Sequence, residues 1–494
     1  MFKQNQSPED ILRLLIEKAV LKGRSLQSPQ THFLHYFHHS LDEKIAQTIP
    51  TVENAYFILA LMRTKTVEQI KEAKELLGKL LSFASEGNFP TYLHEYPECK
   101  DRYLGVHLLP IFYWILKDFQ TILGKELHER LLEASKKLAA SLMPIFEAKQ
   151  PPYHLALKGA ATWIAFGNLL KHDIFLDYGQ SLLEQLKQLG MTKAWGNPHY
   201  LAEILASLQM IYADIAASPW AFFWEYCQNT WHAATACYIG PSRKVFQAGF
   251  QPEIGLYDLY FAYFTGHLPT RQGDGYPYEL LSVFIQPHAF SLQPSALAIS
   301  EKGRLDQQNW LMEKKPEYAY CFLENDPGLD PSHYNGYHFF RLLWGSPSFT
   351  HSFVCQKNKA LTEVSCIPDQ QHIELSFLLE GEAIQDQGDL DGELMFFVDL
   401  MGGKVLVDGI PATTFTLANQ LTLSSPSLSL TMKFVQENSE DVFFGHIHRG
   451  NRPAQILTKG LNRFEAYDLK IFIRPIKRTS RCRLKAIIHI ETHS

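Results

Sequence analysis

Apolar residues recur at the spacing of one helical face from Ser7 to about Ala236. The clearest such segments are VENAYFILALM, VEQIKEAKELLGKLLSFA, YLGVHLLPIFYWILKDF, ELHERLLEASKKLAASLMPIF, HLALKGAATWIAFGNLL, YLAEILASLQMIYADIA and WAFFWEYCQNTWHAATACY. The pattern predicts about ten helices in series, joined by short Gly, Pro and Asn connections. Hairpins of this kind bury their apolar faces in a closed ring or a solenoid. Because the sequence shows no fixed-period repeat, an irregular or incomplete α/α toroid is favoured.

The period of the apolar residues changes after Gly240. Residues 241–282 are rich in Gly, Pro and aromatic residues, and we interpret them as a connector. Beyond them, short β-branched and aromatic segments are separated by turn residues, which predicts about ten antiparallel strands and a β-sandwich. The segments are YAYCFLEN, GYHFFRLLWG, FTHSFVCQ, HIELSFLL, ELMFFVDLM, GKVLVDG, SLSLTMKFV, DVFFGHIH, YDLKIFIRPI and CRLKAIIHIE. The predicted domains are therefore a helical domain at 1–240, the connector at 241–282 and a sandwich at 283–494.

Composition narrows the kind of partner that this chain can bind. The net charge is only −6 over 494 residues and no long Lys/Arg run occurs, which argues against nucleic acid and against an anionic membrane surface. Aromatic residues make up 13% of the chain, and flat amphipathic rings stack on the C–H faces of sugars. A neutral or polar partner such as a sugar fits these features better, although most of the rings are expected to fill cores.

The N-terminal residues and the cysteines predict a cytoplasmic protein, with export by a route without a cleaved signal as the alternative. Charges interrupt every apolar run in MFKQNQSPEDILRLLIEKAV, so no secretory signal is expected there. No apolar run is long enough to span a bilayer. The seven cysteines form no CxxC pair, and we expect all of them to be free thiols: Cys99, Cys227, Cys237, Cys321, Cys355, Cys366 and Cys482.

Three local motifs resemble those of heparinase II/III-like proteins and other α/α-toroid polysaccharide lyases. The stretch 195–212 resembles a helix start in toroid proteins, with Pro198 and Tyr200 at matching positions, although Asn197 and His199 replace small hydroxylated residues. The run Gly240-Pro241-Ser242-Arg243 resembles an element that follows the last toroid helices, and FEAYDLKIFIRPIKR resembles closing strands of such sandwiches. The resemblance implies a helical toroid followed by a β-sandwich, and an uncharacterised branch of this superfamily.

The resemblance also implies an activity, the cleavage of uronic-acid glycans by β-elimination. This reaction needs neutralisation of the uronate carboxylate, a base for the C5 proton and an acid for the leaving oxygen. On the matching motif, Tyr200 and His199 are the candidate acid and base, while Asn197 and Arg243 are candidate partners of the carboxylate. Asn197 is equally well explained as the N-cap of a helix, and Arg243 as part of an interdomain ion pair.

Two loops supply further candidates for binding an acidic polysaccharide or oligosaccharide. The Pro-broken loop GNFPTYLHEYP contains Asn88, Tyr92, His94 and Glu95, and loops on a rigid scaffold commonly carry sites. In the β half, SHYNGYHFF contains His333, Tyr334 and His338, which in related lyases would reach over the toroid cleft. Asn335-Gly336 in the same stretch is a hairpin turn signal, so a turn followed by an ordinary strand is the alternative.

No cofactor is predicted. His446 and His448 lie on one face of a predicted strand at a spacing compatible with a structural divalent metal, but no third ligand accompanies them, so an ordinary strand is favoured.

Two other functions stay open. Helical toroids also carry glycoside hydrolases that use a carboxylate pair, for which the candidates are Glu95, Glu203, Glu253, Asp258 and Asp274. Glu203 lies one turn inside its helix and could reach the cleft, although no motif sets two acids at acid/base separation. A glycan-binding or scaffold protein without catalysis is the third possibility.

Overall fold

The structure is a computed structural model. It describes residues 7–36, 47–149, 151–242, 254–266, 268, 276–287, 298–324, 338–347, 349–356, 361–369, 372–382, 392–400, 403–437, 440–449 and 469–493. In these ranges the α-helices are α1 (Pro8–Leu26), α2 (Thr51–Arg63), α3 (Val67–Leu81), α4 (Leu104–Leu123), α5 (Lys125–Ala148), α6 (Tyr153–Leu170), α7 (Asp173–Leu189), α8 (Pro198–Ile211), α9 (Ala221–Asn229) and α10 (Leu256–Thr265). Three short 3₁₀ helices span Leu93–Glu95, Lys193–Gly196 and Tyr278–Phe284.

Six helices form a closed ring. Each of α1, α2, α4, α6, α8 and α10 contacts the next in this order, and α10 contacts α1 again. The helices α3, α5 and α7 pack outside α2, α4 and α6 respectively. The ring helices α4 and α6 are apolar on nearly all sides, because they are covered by neighbours both inside and outside the ring. The helical half is therefore an irregular α/α toroid.

The helix that closes the ring, α10, lies within the segment predicted as a connector. Its sequence LYDLYFAYFT is almost wholly apolar and aromatic and is flanked by Gly, so it shows no helical period. Another difference lies in the segment 220–238, predicted as one helix. The helix α9 ends at Asn229, and a two-stranded hairpin follows it, formed by β1 (Trp231–His232) and β2 (Cys237–Tyr238). The division into domains stays a prediction.

The β half consists of antiparallel strands. In the described ranges these are β3 (Ile299–Leu305), β4 (Gln308–Lys314), β5 (Tyr318–Leu323), β6 (His338–Ser346), β7 (Phe349–Gln356), β8 (Leu361–Pro368), β9 (His372–Glu380), β10 (Leu394–Asp399), β11 (Lys404–Val407), β12 (Thr414–Thr416), β13 (Gln420–Ser424), β14 (Leu428–Gln436), β15 (Val442–Arg449), β16 (Leu469–Lys477) and β17 (Arg481–Thr492). The sequence patterns miss β3, β4, β8, β12 and β13.

Two sheets pack face to face. A nine-stranded sheet has the order β12-β15-β16-β10-β7-β6-β5-β4-β3, and a six-stranded sheet has the order β11-β13-β14-β17-β9-β8. Between them Phe396 contacts the rings of Phe377 and Phe434 at centroid distances of 6.2 and 5.9 Å. Rings from both inner faces thus fill the core of a sandwich. The predicted fold class, a helical toroid followed by an antiparallel β-sandwich, is confirmed.

Buried cations on β4 and β6 hold the sandwich against the helices. The Lys314 ammonium donates to the carbonyls of Gln228 and Trp231 at 3.3 and 3.1 Å, at the C-terminal end of α9. The Arg341 guanidinium donates to the carbonyl of Tyr238 at 2.9 Å. Cations are favoured beside the unpaired carbonyls at the end of a helix.

None of the seven cysteines forms a disulfide, as predicted. Among the helices of the described ranges, none is both long and apolar enough to cross a membrane.

Candidate functional site

A cavity of about 580 Å³ lies inside the helical ring, and its lining runs from the N-terminal turns of the ring helices to Met210 near the end of α8. Its wall contains residues from the first turns of α2, α4, α6, α8 and α10, so these five helices all point their N-terminal ends at it. The 3₁₀ helix Tyr278–Phe284 contributes Leu281 and Phe284. The first N–H groups of a helix have no partner within the helix, and the helix dipole places positive potential there. These helix ends therefore favour anionic or acceptor-rich groups of a ligand that lie next to them.

Local sequence fixes where these helices begin. Pro198 occupies the first position of α8, and the Asn197 side-chain oxygen accepts a hydrogen bond from the N–H of His199 at 2.9 Å. Pro50 and Pro152 occupy the cap positions of α2 and α6. Proline is tolerated at a helix start because the missing N–H would be unpaired there anyway. Asn197 is thus the N-cap of α8, which is one of the two roles that the sequence suggests for it.

Tyr200 lies on the first turn of α8 and faces the cavity. It is 36% exposed, and its hydroxyl makes no hydrogen bond to any residue in the described ranges. The His154 ring from α6 stacks on its ring at a centroid distance of 3.6 Å and an interplanar angle of 6°. The neighbouring His199 also lines the cavity. A phenol and an imidazole therefore stand next to each other on the cavity wall of α8.

A buried ion pair lies beside the Tyr200–His154 stack. Lys158 from α6 is 4% exposed and its Nζ is 3.3 Å from Glu203 Oε1. The same ammonium is 3.1 Å from Nδ1 of His107 on α4, and Glu203 Oε2 is 3.9 Å from His154 Nε2. All four side chains line the cavity. Contacts among charged and polar groups thus connect three ring helices at this point.

The environment sets the protonation states of this cluster. Burial lowers the pKa of His107 to about 4, and the adjacent Lys158 ammonium adds to the shift. Burial also lowers the pKa of His154, with Glu203 opposing and Lys158 assisting. Burial alone would raise the pKa of Glu203, but Lys158 and the two histidines offset this and hold it below its ordinary value. At neutral pH the carboxylate is therefore ionised and both imidazoles are neutral.

Tyr200 is protonated at neutral pH, again because of burial and a neighbouring charge. Burial raises the pKa of its phenol, and the Glu203 carboxylate raises it further. The group is thus a proton donor rather than a phenolate before any ligand binds.

The wall on the α2 side carries a second carboxylate among tyrosines. Glu53 lines the cavity and accepts a hydrogen bond from the Tyr36 hydroxyl at 3.1 Å. Tyr92, from the loop before α4, lines the same wall, and burial together with Glu53 raises its pKa. Tyr56 and Tyr276 complete this side.

The structure separates the other predicted residues of the GNFPTYLHEYP loop from the cavity wall. The Asn88 amide donates to the carbonyl of Asp101 at 2.9 Å. The His94 ring stacks on Tyr92 at a centroid distance of 5.6 Å and does not line the described cavity wall. The Glu95 carboxylate accepts from the N–H of Tyr92 at 3.4 Å and approaches Lys100 at 3.5 Å. Of this loop's candidates, only Tyr92 lines the cavity.

Several predicted residues lie outside the described residues, namely Arg243, Glu253, Asp274, His333 and Tyr334. His338 is the first residue of β6, and only its backbone is described. Asp258, a hydrolase candidate, caps α10 by accepting from the N–H of Gly255 at 3.0 Å. Glu203, the other candidate weighed for hydrolysis, does line the cavity.

The two histidines of β15 belong to the sandwich. His446 is half-buried and stacks on Phe472 at a centroid distance of 5.1 Å, while His448 is exposed. Across the described ranges, no group of three or more His, Cys, Asp or Glu side chains is arranged to hold a metal ion.

Sequence reasoning missed His107, His154 and Lys158. Each is a polar residue within a helix that is otherwise almost wholly apolar, in the runs YLGVHLLPIF and YHLALKGAATWIAF. A lysine in such a helix has few ways to be buried without a partner, so it signals a paired charge or a cavity. That signal was available, but it does not identify the partner on another helix.

The sequence matches no known protein family and no curated protein. Three solved structures are similar to it over 100% of its length. A heparinase III has 9% identity, 86% of its own chain covered and a TM-score of 0.43. A chondroitin AC lyase from Streptomyces coelicolor A3 in complex with chondroitin sulphate has 9% identity, 79% coverage and a TM-score of 0.48. A heparinase III with methylated lysines has 10% identity, 85% coverage and a TM-score of 0.38. At these identities and TM-scores no activity follows from the likeness.

Proposed function

We propose that this protein is a carbohydrate-active enzyme that binds an acidic polysaccharide or oligosaccharide in the ring cavity and cleaves it by β-elimination. The observation that carries the proposal is the position of Tyr200. Its phenol is protonated, exposed to the cavity and without a hydrogen bond to the described residues, and His199 lines the cavity beside it. A free proton donor next to an imidazole is the pair that this elimination needs.

In the proposed reaction His199 takes the proton from C5 of the uronate. The electron pair of that C–H bond forms a double bond between C4 and C5, and the C4–O bond to the leaving sugar breaks. Tyr200 gives its proton to the departing oxygen. The products are an unsaturated uronate and a new free hydroxyl, so atoms and charge balance once the two side chains have exchanged protons with water.

Neutralisation of the uronate carboxylate is the second requirement, because the C5 proton is too weakly acidic unless the carboxylate charge is offset as the bond breaks. The five helix N-termini at the cavity supply partial positive charge, and the Lys158 ammonium lies in the same wall. Arg243 stays a predicted further partner of the carboxylate. Asn197 contributes indirectly, by holding the first turn of α8 that carries both reacting side chains.

A second candidate function is glycoside hydrolysis. The described cavity wall carries one lysine against three carboxylates, Glu53, Asp101 and Glu203. Glu203 is ionised and Glu53 lies on the opposite, tyrosine-rich side of the wall, so the two acids are candidates for a base or nucleophile and an acid. This excess of negative charge favours a neutral sugar over a polyanion.

One assay separates these functions. The purified protein is incubated with acidic polysaccharides, their oligosaccharides and matched neutral glycans, and both ultraviolet absorbance of unsaturated uronate and new reducing ends are measured. Elimination produces both signals from acidic glycans only. New reducing ends without the absorbance of unsaturated uronate would show that the protein hydrolyses the glycan and does not cleave it by elimination. If calorimetry detects saturable glycan binding and neither product forms, the protein is a glycan-binding protein.

A further inference from the structure

His154 has no role in the proposed reaction, yet its ring stacks directly on that of Tyr200. Its ring covers the phenol ring at a centroid distance of 3.6 Å with the two planes nearly parallel. His154 is 8% exposed, and its Nδ1 is buried without a hydrogen-bond partner. A nitrogen closed off from the cavity is a poor group for taking a proton from a substrate. The residue is therefore better suited to support Tyr200 than to react.

The Lys158–Glu203 ion pair lies beside His154. The Nε2 of His154 faces Glu203 Oε2 at 3.9 Å, and the other carboxylate oxygen is held by the Lys158 ammonium at 3.3 Å. Lys158 in turn is held by His107 Nδ1 at 3.1 Å. These contacts involve side chains of α4, α6 and α8 and lie next to the Tyr200 phenol.

We propose that His154 is a positioning residue, whose ring fixes the plane of the Tyr200 phenol by stacking on it. The role of Tyr200 as a proton donor rests on the proposed function, but the positioning of its ring by His154 does not. A first-turn tyrosine without a hydrogen bond from its hydroxyl has only packing to define the rotation of its ring. A proton donor that is displaced by about 1 Å loses on the order of 10²-fold in rate. Stacking is the contact here that prevents this displacement.

Two substitutions at one position separate stacking from mere volume. His154→Phe keeps a flat ring over the phenol, and His154→Leu fills similar space without one. We expect His154→Leu to lower kcat by about 10- to 100-fold with little change in KM, and His154→Phe to recover most of the loss. The matched control is His172→Leu, which removes a histidine that stacks on Phe175 at 4.1 Å on the outer helix α7. This control should leave kcat unchanged.

A readout without turnover tests the positioning even if no glycan is cleaved. In protein labelled with fluorotyrosine, the Tyr200 resonance is identified by its loss in Tyr200→Phe, and its phenol is titrated by fluorine NMR. The raised pKa should persist in His154→Phe and fall towards the ordinary value in His154→Leu, because a branched aliphatic side chain covers the face of the phenol less completely than a flat ring and admits more water to it. Equal titrations and equal kcat values in the two variants would overturn the proposal. Absence of turnover in the wild type, with the two titrations still different, would instead overturn only the proposed function.

Discussion

The two ends of the helical ring differ although the same helices form both. At one end, five helix N-termini line a cavity of about 580 Å³, and Tyr200 has an uncommitted hydroxyl. Towards the other end, Tyr260 is fully buried and its hydroxyl donates to Gln209 Oε1 at 2.8 Å and lies 3.2 Å from the carbonyl of Phe284. There the Arg63 guanidinium at the end of α2 donates to the carbonyl of Ile285 at 2.9 Å.

This difference separates residues that stabilise the fold from residues left available for a ligand. A buried hydroxyl that is paired inside the protein contributes to the free energy of unfolding, and its loss leaves its partners unsatisfied. An exposed hydroxyl without a partner contributes little to stability. The same substitution, tyrosine to phenylalanine, should therefore give opposite results at the two ends.

The largest expected effect is at the open end, in Tyr200→Phe. Removing only the hydroxyl keeps the stack on His154 and removes the proposed proton donor. We expect the rate of glycan cleavage to fall by about 10²- to 10⁴-fold, with unchanged free energy of unfolding. Rates and urea denaturation of both proteins give the two quantities. Tyr212→Phe, at the other end of α8, is the matched control, and an equal loss in that variant would contradict the assignment.

The next effect is a dependence of stability on pH through His107. Its folded pKa is about 4, while its ordinary value is about 6.5, so between these values the unfolded chain binds a proton that the folded chain does not. The free energy of unfolding should therefore fall as the pH drops from about 6.5 to 4, by on the order of 2–3 kcal/mol from this residue. In His107→Gln, which keeps an acceptor for Lys158, this part should vanish.

The measurement is urea denaturation of wild type and His107→Gln at a series of pH values, with the difference between the two curves taken at each pH. Other titrating groups cancel in this difference, including the buried His232. A difference that stays constant from pH 6.5 to 4 would show that His107 has the same pKa in the folded and the unfolded chain, and would contradict the prediction.

A smaller effect is expected for Tyr260→Phe at the closed end. The variant loses the hydroxyl that pairs with Gln209, which is 4% exposed, so a buried amide oxygen is left without this partner. The free energy of unfolding should decrease by about 1–3 kcal/mol, while the cleavage rate per folded molecule stays the same. Thermal or urea denaturation and the glycan assay provide both values. If Tyr260→Phe lowers the cleavage rate and leaves the free energy of unfolding unchanged, the proposed difference between the two ends of the ring is wrong.

The smallest effect is expected for Asn197→Ala at the start of α8. Loss of the cap to the N–H of His199 should decrease the free energy of unfolding by about 1 kcal/mol. Because the side chain does not line the described cavity, cleavage per folded molecule should change by less than about fivefold, well below a loss of catalysis. Asn197→Asp, which retains capping, should restore stability. A large loss of cleavage rate in both variants would instead indicate that Asn197 binds the carboxylate of the substrate.

The sequence by itself determined the architecture and much of the local structure. Helical spacing up to about Ala236 and short strand-like segments in the second half predict a toroid followed by a sandwich, because apolar spacing reports which face of each element is buried. Asn197-Pro198 marks the start of α8, since an acceptor followed by proline satisfies a helix N-terminus locally. These features depend on neighbours in the chain. The sequence could not find α10 in the same way, because a short run that is apolar on all sides has no periodicity.

Only the tertiary structure decided which polar residues meet. The ion pair Lys158–Glu203 joins residues 45 positions apart, and the His154–Tyr200 stack joins two different helices, so no local pattern contains either contact. It also decided that Tyr92 faces the cavity while Glu95 bonds within its own loop. The physical reason is that closure of the ring sets which side of each helix faces inward, and closure depends on the packing of all six helices together.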